Sequence, residues 1–153
     1  MSLTKVNTVI NKLESHLKNQ NASNPKISQV NVAWHIDHSL KVINNVVLAL
    51  QKSDPKTYKN NLSLIGRIVL VVGSFPRGRA KAPKSVRPPE VINNQDILAQ
   101  IETAKTNIQT IATLDKNAYF KHPIFGNINT GKIYHFIELH TNHHLKIIKD
   151  ILN

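Results

Sequence analysis

Apolar residues recur at every third or fourth position over most of the chain. Residues 3–19 place Leu3, Val6, Ile10, Leu13 and Leu17 on one stripe with polar residues elsewhere, the pattern of a helix that buries one face. The polar run from Gln20 to Pro25 ends it. Over 28–50, Val32, Ile36, Leu40, Ile43, Val47 and Leu50 step by fours and threes, which predicts a second helix, stopped by Ser53-Asp-Pro. Tyr58, Leu62, Ile65, Val69 and Val72 continue the stepping over 58–72; 68–72 alone also fits a buried strand, but the longer pattern reads as helix. The proline- and arginine-rich stretch 75–89 cannot be regular, because proline lacks an amide donor and disfavours helix in the residue before it. It reads as a long crossover loop. Further helices follow over 94–114, with Ile97, Ile101, Ala104, Ile108 and Ile111 on the stripe, and from Thr130 to the C-terminus. No β-hairpin signal stands out.

Four long amphipathic helices, a shorter piece and one long connection describe an all-α bundle with a crossover. A length of 153 residues suits one domain, so 1–153 is read as a single unit. The chain has no cysteine, which excludes disulfides, thiolate metal sites and thiol nucleophiles. Twenty Lys and Arg against nine Asp and Glu give a formal charge of +11, a bias toward anionic partners. The excess is densest in the crossover, where Arg77, Arg79, Lys81, Lys84 and Arg87 stand without an acid. The first residues lack the apolar run of a signal peptide and no stretch reaches the length of a membrane span, so a cytoplasmic protein without a membrane partner is expected.

Eight histidines change the picture. At about 100° per residue, the stripe of the last helix comprises Ile133, Phe136, Ile137, Ile147, Ile148 and Ile151, and His140 and His144 fall in its middle. Four residues apart, their rings converge on one point. His143 lies at the edge of the stripe and His135 outside it. On the second helix His35 sits at the shoulder of the apolar arc, whereas His38 lies roughly 60° further round, toward Asp37, Lys41, Asn44 and Asn45. Spacing therefore prefers His35. An unsatisfied buried polar group costs about 1–3 kcal/mol, and a metal ion relieves that cost by binding one nitrogen of each ring. Core histidines satisfied by hydrogen bonds or water are the plainer alternative.

The stretch 27–39, which contains Trp34-His-Ile-Asp-His38, the loop His122-Pro-Ile-Phe-Gly126, and His140-Thr-Asn-His-His-Leu-Lys146 together resemble the DinB-like metal-binding superfamily, in its branch of unknown function. The likeness spans nearly the whole chain. It implies a four-helix bundle of up-up-down-down order with a long crossover and an extra short helix, and a divalent metal held by one His of the second helix and the first and last His of the final motif. On this chain those are His35, His140 and His144. Zinc or nickel suits three imidazoles best, with iron as a third candidate.

Three protein ligands leave coordination positions open, which is a catalytic type of site. The resemblance implies a metal-dependent hydrolase or thiol transferase acting on a small molecule, and a homodimer stays open as its assembly. Asp37, His38 and His143 lie within a turn of a ligand and are the candidates for a general base. Trp34 reads as core before pocket lining, and His122 as part of a turn that Phe125 anchors, with the mouth of the site as its second reading. Two other classes compete. One is a bundle that keeps the metal for stability without catalysis. The other is a nucleic-acid binder using the basic loop 77–87, against which stands the lack of an aromatic stacking series beyond Phe75.

Overall fold

The computed structural model describes residues 2–78 and 81–153. Helix α1, Leu3–Ser15, runs into a 3-10 turn at Leu17–Asn19, and α2 spans Val32–Lys52. Helix α3 is Leu64–Val72, α4 is Asn94–Thr110 with a 3-10 turn at Ile111–Thr113, and α5 is Thr130–Leu152. The protein is thus mostly helical, as the stepping predicts. One small sheet departs from that: β1, Tyr119–His122, pairs antiparallel with β2, Gly126–Asn129, with Phe120 opposite Ile128. Its turn is the His122-Pro-Ile-Phe-Gly126 loop, whose four-residue arms are too short to show a strand alternation.

The four long helices close around one apolar core. Ile10 and Leu13 of α1, Ile36, Leu40 and Ile43 of α2, Ile97 and Ile101 of α4, and Ile133 and Ile137 of α5 are all fully buried in it. Helices α1 and α2 each pack on α4 and α5 and barely on each other, so they sit at opposite corners.

Side-chain pairs fix the directions. Asp37, Asn44 and Gln51 of α2 meet Gln100, Asn107 and Thr110 of α4 in rising order, so α2 and α4 are parallel. His35 meets His144, and Ser53 at the far end of α2 meets Tyr119 near the start of α5, so these two helices are antiparallel. The end of α1 abuts the start of α2, where the carbonyls of Gln20 and Ala22 accept from Ala33 and Val32. The order is therefore up-down-down-up, not the up-up-down-down of the sequence expectation. The reason is physical: a parallel pair of consecutive helices needs a connection that runs the length of the bundle. The link after α1 turns back to hold Gln20 and Ala22 against the start of α2, and the link after α4 folds into the hairpin, which leaves the link from α2 to α4 as the crossover.

Helix α3 is shorter than the stretch 58–72. Ser63 caps it by accepting from the Gly66 amide at 3.0 Å, while its own amide and the Asn61 side chain are committed to Phe125 and Asn127 of the hairpin. The stretch before Ser63 is tied to the hairpin turn through Asn61 and Lys59. Gly126 has φ +85°, and a Cβ there would stand 2.5 Å from the Asn61 carbonyl oxygen, so only glycine fits the turn. Of the predicted stripe, Leu62 and Val69 are buried, while Ile65 and Val72 face outward with Leu64, Ile68 and Val71. Among the described residues no helix is long and apolar enough to cross a membrane.

Candidate metal centre

Helix α2 starts where the Asn31 side chain accepts from the Trp34 amide at 3.0 Å, which sets the orientation of the turn carrying His35 and His38. Helix α5 lies antiparallel beside it and presents His140 and His144 one turn apart. His38, His140 and His144 each offer a ring nitrogen, and these three atoms lie within 4.8 Å of one another. Ring centroids are 4.7 Å apart for His38 and His144, 4.8 Å for His140 and His144, and 5.2 Å for His38 and His140.

One hydrogen bond at the triad fixes a tautomer. The Nδ1 of His38 lies 2.8 Å from the Val86 carbonyl oxygen, which only accepts, so Nδ1 carries the proton and Nε2 is left as a lone pair. The Nδ1 of His144 is 2.9 Å from the Nδ1 of His35, whose Nε2 is 3.0 Å from the Ser28 hydroxyl. This relay runs in either direction, and when His144 donates to His35 and His35 to Ser28, His144 keeps Nε2 free. The Nδ1 of His140 is buried with no hydrogen-bond partner. A lone pair on His38 and an unsatisfied ring nitrogen on His140 are groups that a bound cation would engage.

Electrostatics agree with that reading. Burial lowers the pKa of all three: His140 and His144 fall well below the usual histidine value of 6.5, with the neighbouring imidazoles adding to the shift. Burial likewise lowers His38, although the Val86 carbonyl and Asp37 act the other way. The rings are therefore neutral at neutral pH, the form that binds metal. His35 is pushed down to about 4 by burial first, then by the charges of His38, His143 and Arg77.

His35, preferred by spacing and by the resemblance, thus stands behind the triad with both nitrogens engaged, and His38 stands in it. The arc that looked polar is covered: Asp37 is 1% exposed and Ser39 wholly buried, because α4 and the crossover loop close over this side of α2. Asp37 is committed elsewhere, accepting from Gln100 at 2.7 Å and pairing with Lys41. His143 is half-buried at the edge of α5, against the Phe75 ring at 5.8 Å. Trp34 stacks on His38 at 4.9 Å and also lines a groove with Asn31, Arg87 and Glu90. His122 lies outside the triad. Its Nδ1 accepts from the amides of Ile124 and Phe125, both at 3.1 Å, and its ring stacks on Phe125 at 4.0 Å.

Val86 is the residue that sequence reasoning missed. It is buried in the short turn Lys84–Val86 of the basic loop and orients His38 through its backbone. Its signal was faint: a branched aliphatic in a run of prolines and cations. Elsewhere in the loop, Arg77 pairs with Asp150 at 2.7 Å and Arg87 donates to Ala82. Arg79 and Ala80 lie outside the described residues. Compared with known family models, curated proteins and solved structures, the chain matches none.

Proposed function

We propose that the protein binds a divalent metal ion through His38, His140 and His144 and acts on a small molecule as a metal-dependent hydrolase or thiol transferase. One observation carries the reading: a ring nitrogen from each of three neutral imidazoles lies within 4.8 Å of the other two, and the Val86 carbonyl leaves Nε2 of His38 as a lone pair. Zinc or nickel fits this all-nitrogen set, with iron third. The likeness of the histidine motifs to the DinB-like superfamily supports the same reading, although here His38 takes the place expected of His35. When bound, such an ion polarises a substrate oxygen or sulfur, or lowers the pKa of water.

The chain supplies the rest. Val86 and His35 orient two ligands, as hydrogen-bond partners of metal-binding histidines do. Trp34, Phe75 and Phe136 wall the triad with aromatic faces that restrict water. His143, neutral and at the edge, is placed to take or give a proton. A metal kept for stability alone is the second reading; it is favoured by the commitment of Asp37 to Lys41 and Gln100, which takes away the nearest carboxylate base.

Elemental analysis of untagged protein tests the centre. One metal per chain is expected in the native protein, with near-complete loss in His38→Ala, His140→Ala and His144→Ala. His35→Ala is expected to retain metal at an affinity weaker by about 10–100-fold. Equal metal in all of these proteins would overturn the centre, and loss in His35→Ala with retention in His38→Ala would return His35 to the ligand set. Turnover on ester, amide and thiol-conjugation panels then separates catalysis from stabilisation.

A further inference from the structure

Beyond α3 the chain lies along α5 rather than leaving it. His135 binds the Leu70 carbonyl at 2.7 Å, Gly73 faces Leu139, Phe75 packs on His140 and His143, and Arg77 reaches Asp150 at 2.7 Å. Contacts thus advance down α5 as the loop advances. Gly73, at φ +72°, ends α3 in the left-handed conformation and starts this descent.

Between the loop and the helix is a cavity of about 190 Å³, lined by Ser74, Phe75, Arg77, Leu139, His143 and Lys146. A water occupies about 30 Å³ of liquid, so the space suits a group of several heavy atoms. Leu139, His143 and Lys146 share one face of α5, next to the face that carries His140 and His144. The Phe75 ring touches both faces, at 5.7 Å from His140 and 5.8 Å from His143.

The lining is cationic. Asp150 occupies part of the Arg77 guanidinium, whose fork of five donors leaves others open. Among the described residues Lys146 has no acid within ion-pair distance. No carboxylate lines the cavity. Two cations, a hydroxyl and an imidazole around a small cavity match an oxyanion and repel a cation.

We propose that this cavity is an anion subsite in which Arg77 and Lys146 hold the carboxylate or phosphate group of the substrate, beside the histidine triad. That the anion belongs to the substrate rests on the metal reading; the subsite itself does not. The test is calorimetric titration of inorganic phosphate, and separately acetate, into the full chain, both zinc-loaded and chelator-stripped. Saturable phosphate or acetate binding in both forms is expected. Arg77→Gln and Lys146→Gln should each weaken it about tenfold, the scale of one hydrogen bond to a charged group. Lys56→Gln, which removes the same charge beyond the other end of α2, should leave it unchanged. The tighter of the two anions identifies the substrate group. Binding that fails to saturate, or that Lys56→Gln weakens as much as the cavity variants do, overturns the subsite. Zinc content unaffected by His38→Ala and His144→Ala would instead sink the metal reading, and leave the stripped-protein titration standing on its own.

Discussion

His122 and His140 flank the same phenyl ring, Phe136, at centroid distances of 5.5 and 6.0 Å, and burial lowers the pKa of both. Their nitrogens tell them apart. The Nδ1 of His122 accepts two backbone amides and so closes the hairpin turn. The Nδ1 of His140 is buried and accepts none. His122 thus spends that nitrogen within the fold, whereas His140 combines an unsatisfied Nδ1 with a place among three convergent imidazoles; His135 also has an unsatisfied Nδ1 but no such neighbours among the described residues.

Metal should widen this contrast most. At a thousand times its dissociation constant, zinc is expected to stabilise the native protein by about 4 kcal/mol, a rise of roughly 10 °C in melting temperature. His122→Ala should keep that increment and His140→Ala should lose it, as thermal unfolding with and without zinc will show. Without metal the ranking inverts. His122→Ala leaves the Phe125 amide of the turn without its acceptor, while water reaches the exposed Ile124 amide, and should cost about 1–3 kcal/mol in urea unfolding. His140→Leu removes an unpartnered polar atom and should change stability by less than about 1 kcal/mol. If His140→Leu proves as costly as His122→Ala, both residues are structural and the contrast collapses.

The smallest effect is a slope. Burial pushes His122 down to about 4 from the usual 6.5, so the unfolded chain takes up its proton first as pH falls. Stability from the neutral ring is complete above pH 6.5 and is lost progressively toward pH 4. Protonation of Nδ1 also removes the acceptor that the turn requires. Urea unfolding of metal-free protein at several pH values in that window should give a shallower pH dependence for His122→Leu than for the native chain. An identical slope would mean that His122 does not sense the turn.

Much of this arrangement is legible in the sequence, for reasons that particular residues make plain. The stripe of α5 places His140 and His144 together because an i, i+4 pair shares a face whatever packs against it. On α2 the same construction ranks His35 above His38, and it does so by assuming one buried face. The N-terminal half of α2 has none to spare: from Val32 to Leu40 every residue except Trp34 is buried, including Asp37, His38 and Ser39. What covers the second face is α4 together with the crossover loop, and a loop of prolines and cations carries no periodicity from which its docking could be read. Helix order fails for a related reason. Stepping fixes which face of a helix is apolar but not its direction, and the direction depends on how the links fold: those of 16–31 and 111–129 turn back on themselves, and one crossover permits one parallel pair.

That crossover also governs the order of assembly. Residues 53–93 join two parallel neighbours, so the α2–α4 contact closes a long loop, and loops of that kind form slowly because closure entropy precedes the contacts that offset it. The strand pairing of the hairpin and the bonds of its His122 turn are local to the chain and need no such closure, although Asn61 and Ser63 dock on that turn from far along the sequence. His38 waits for it, since the carbonyl that orients its ring belongs to Val86, 48 residues away. In a refolding experiment the turn histidine would acquire its environment early. The triad would complete last, so that metal capture reports the final closure of the chain.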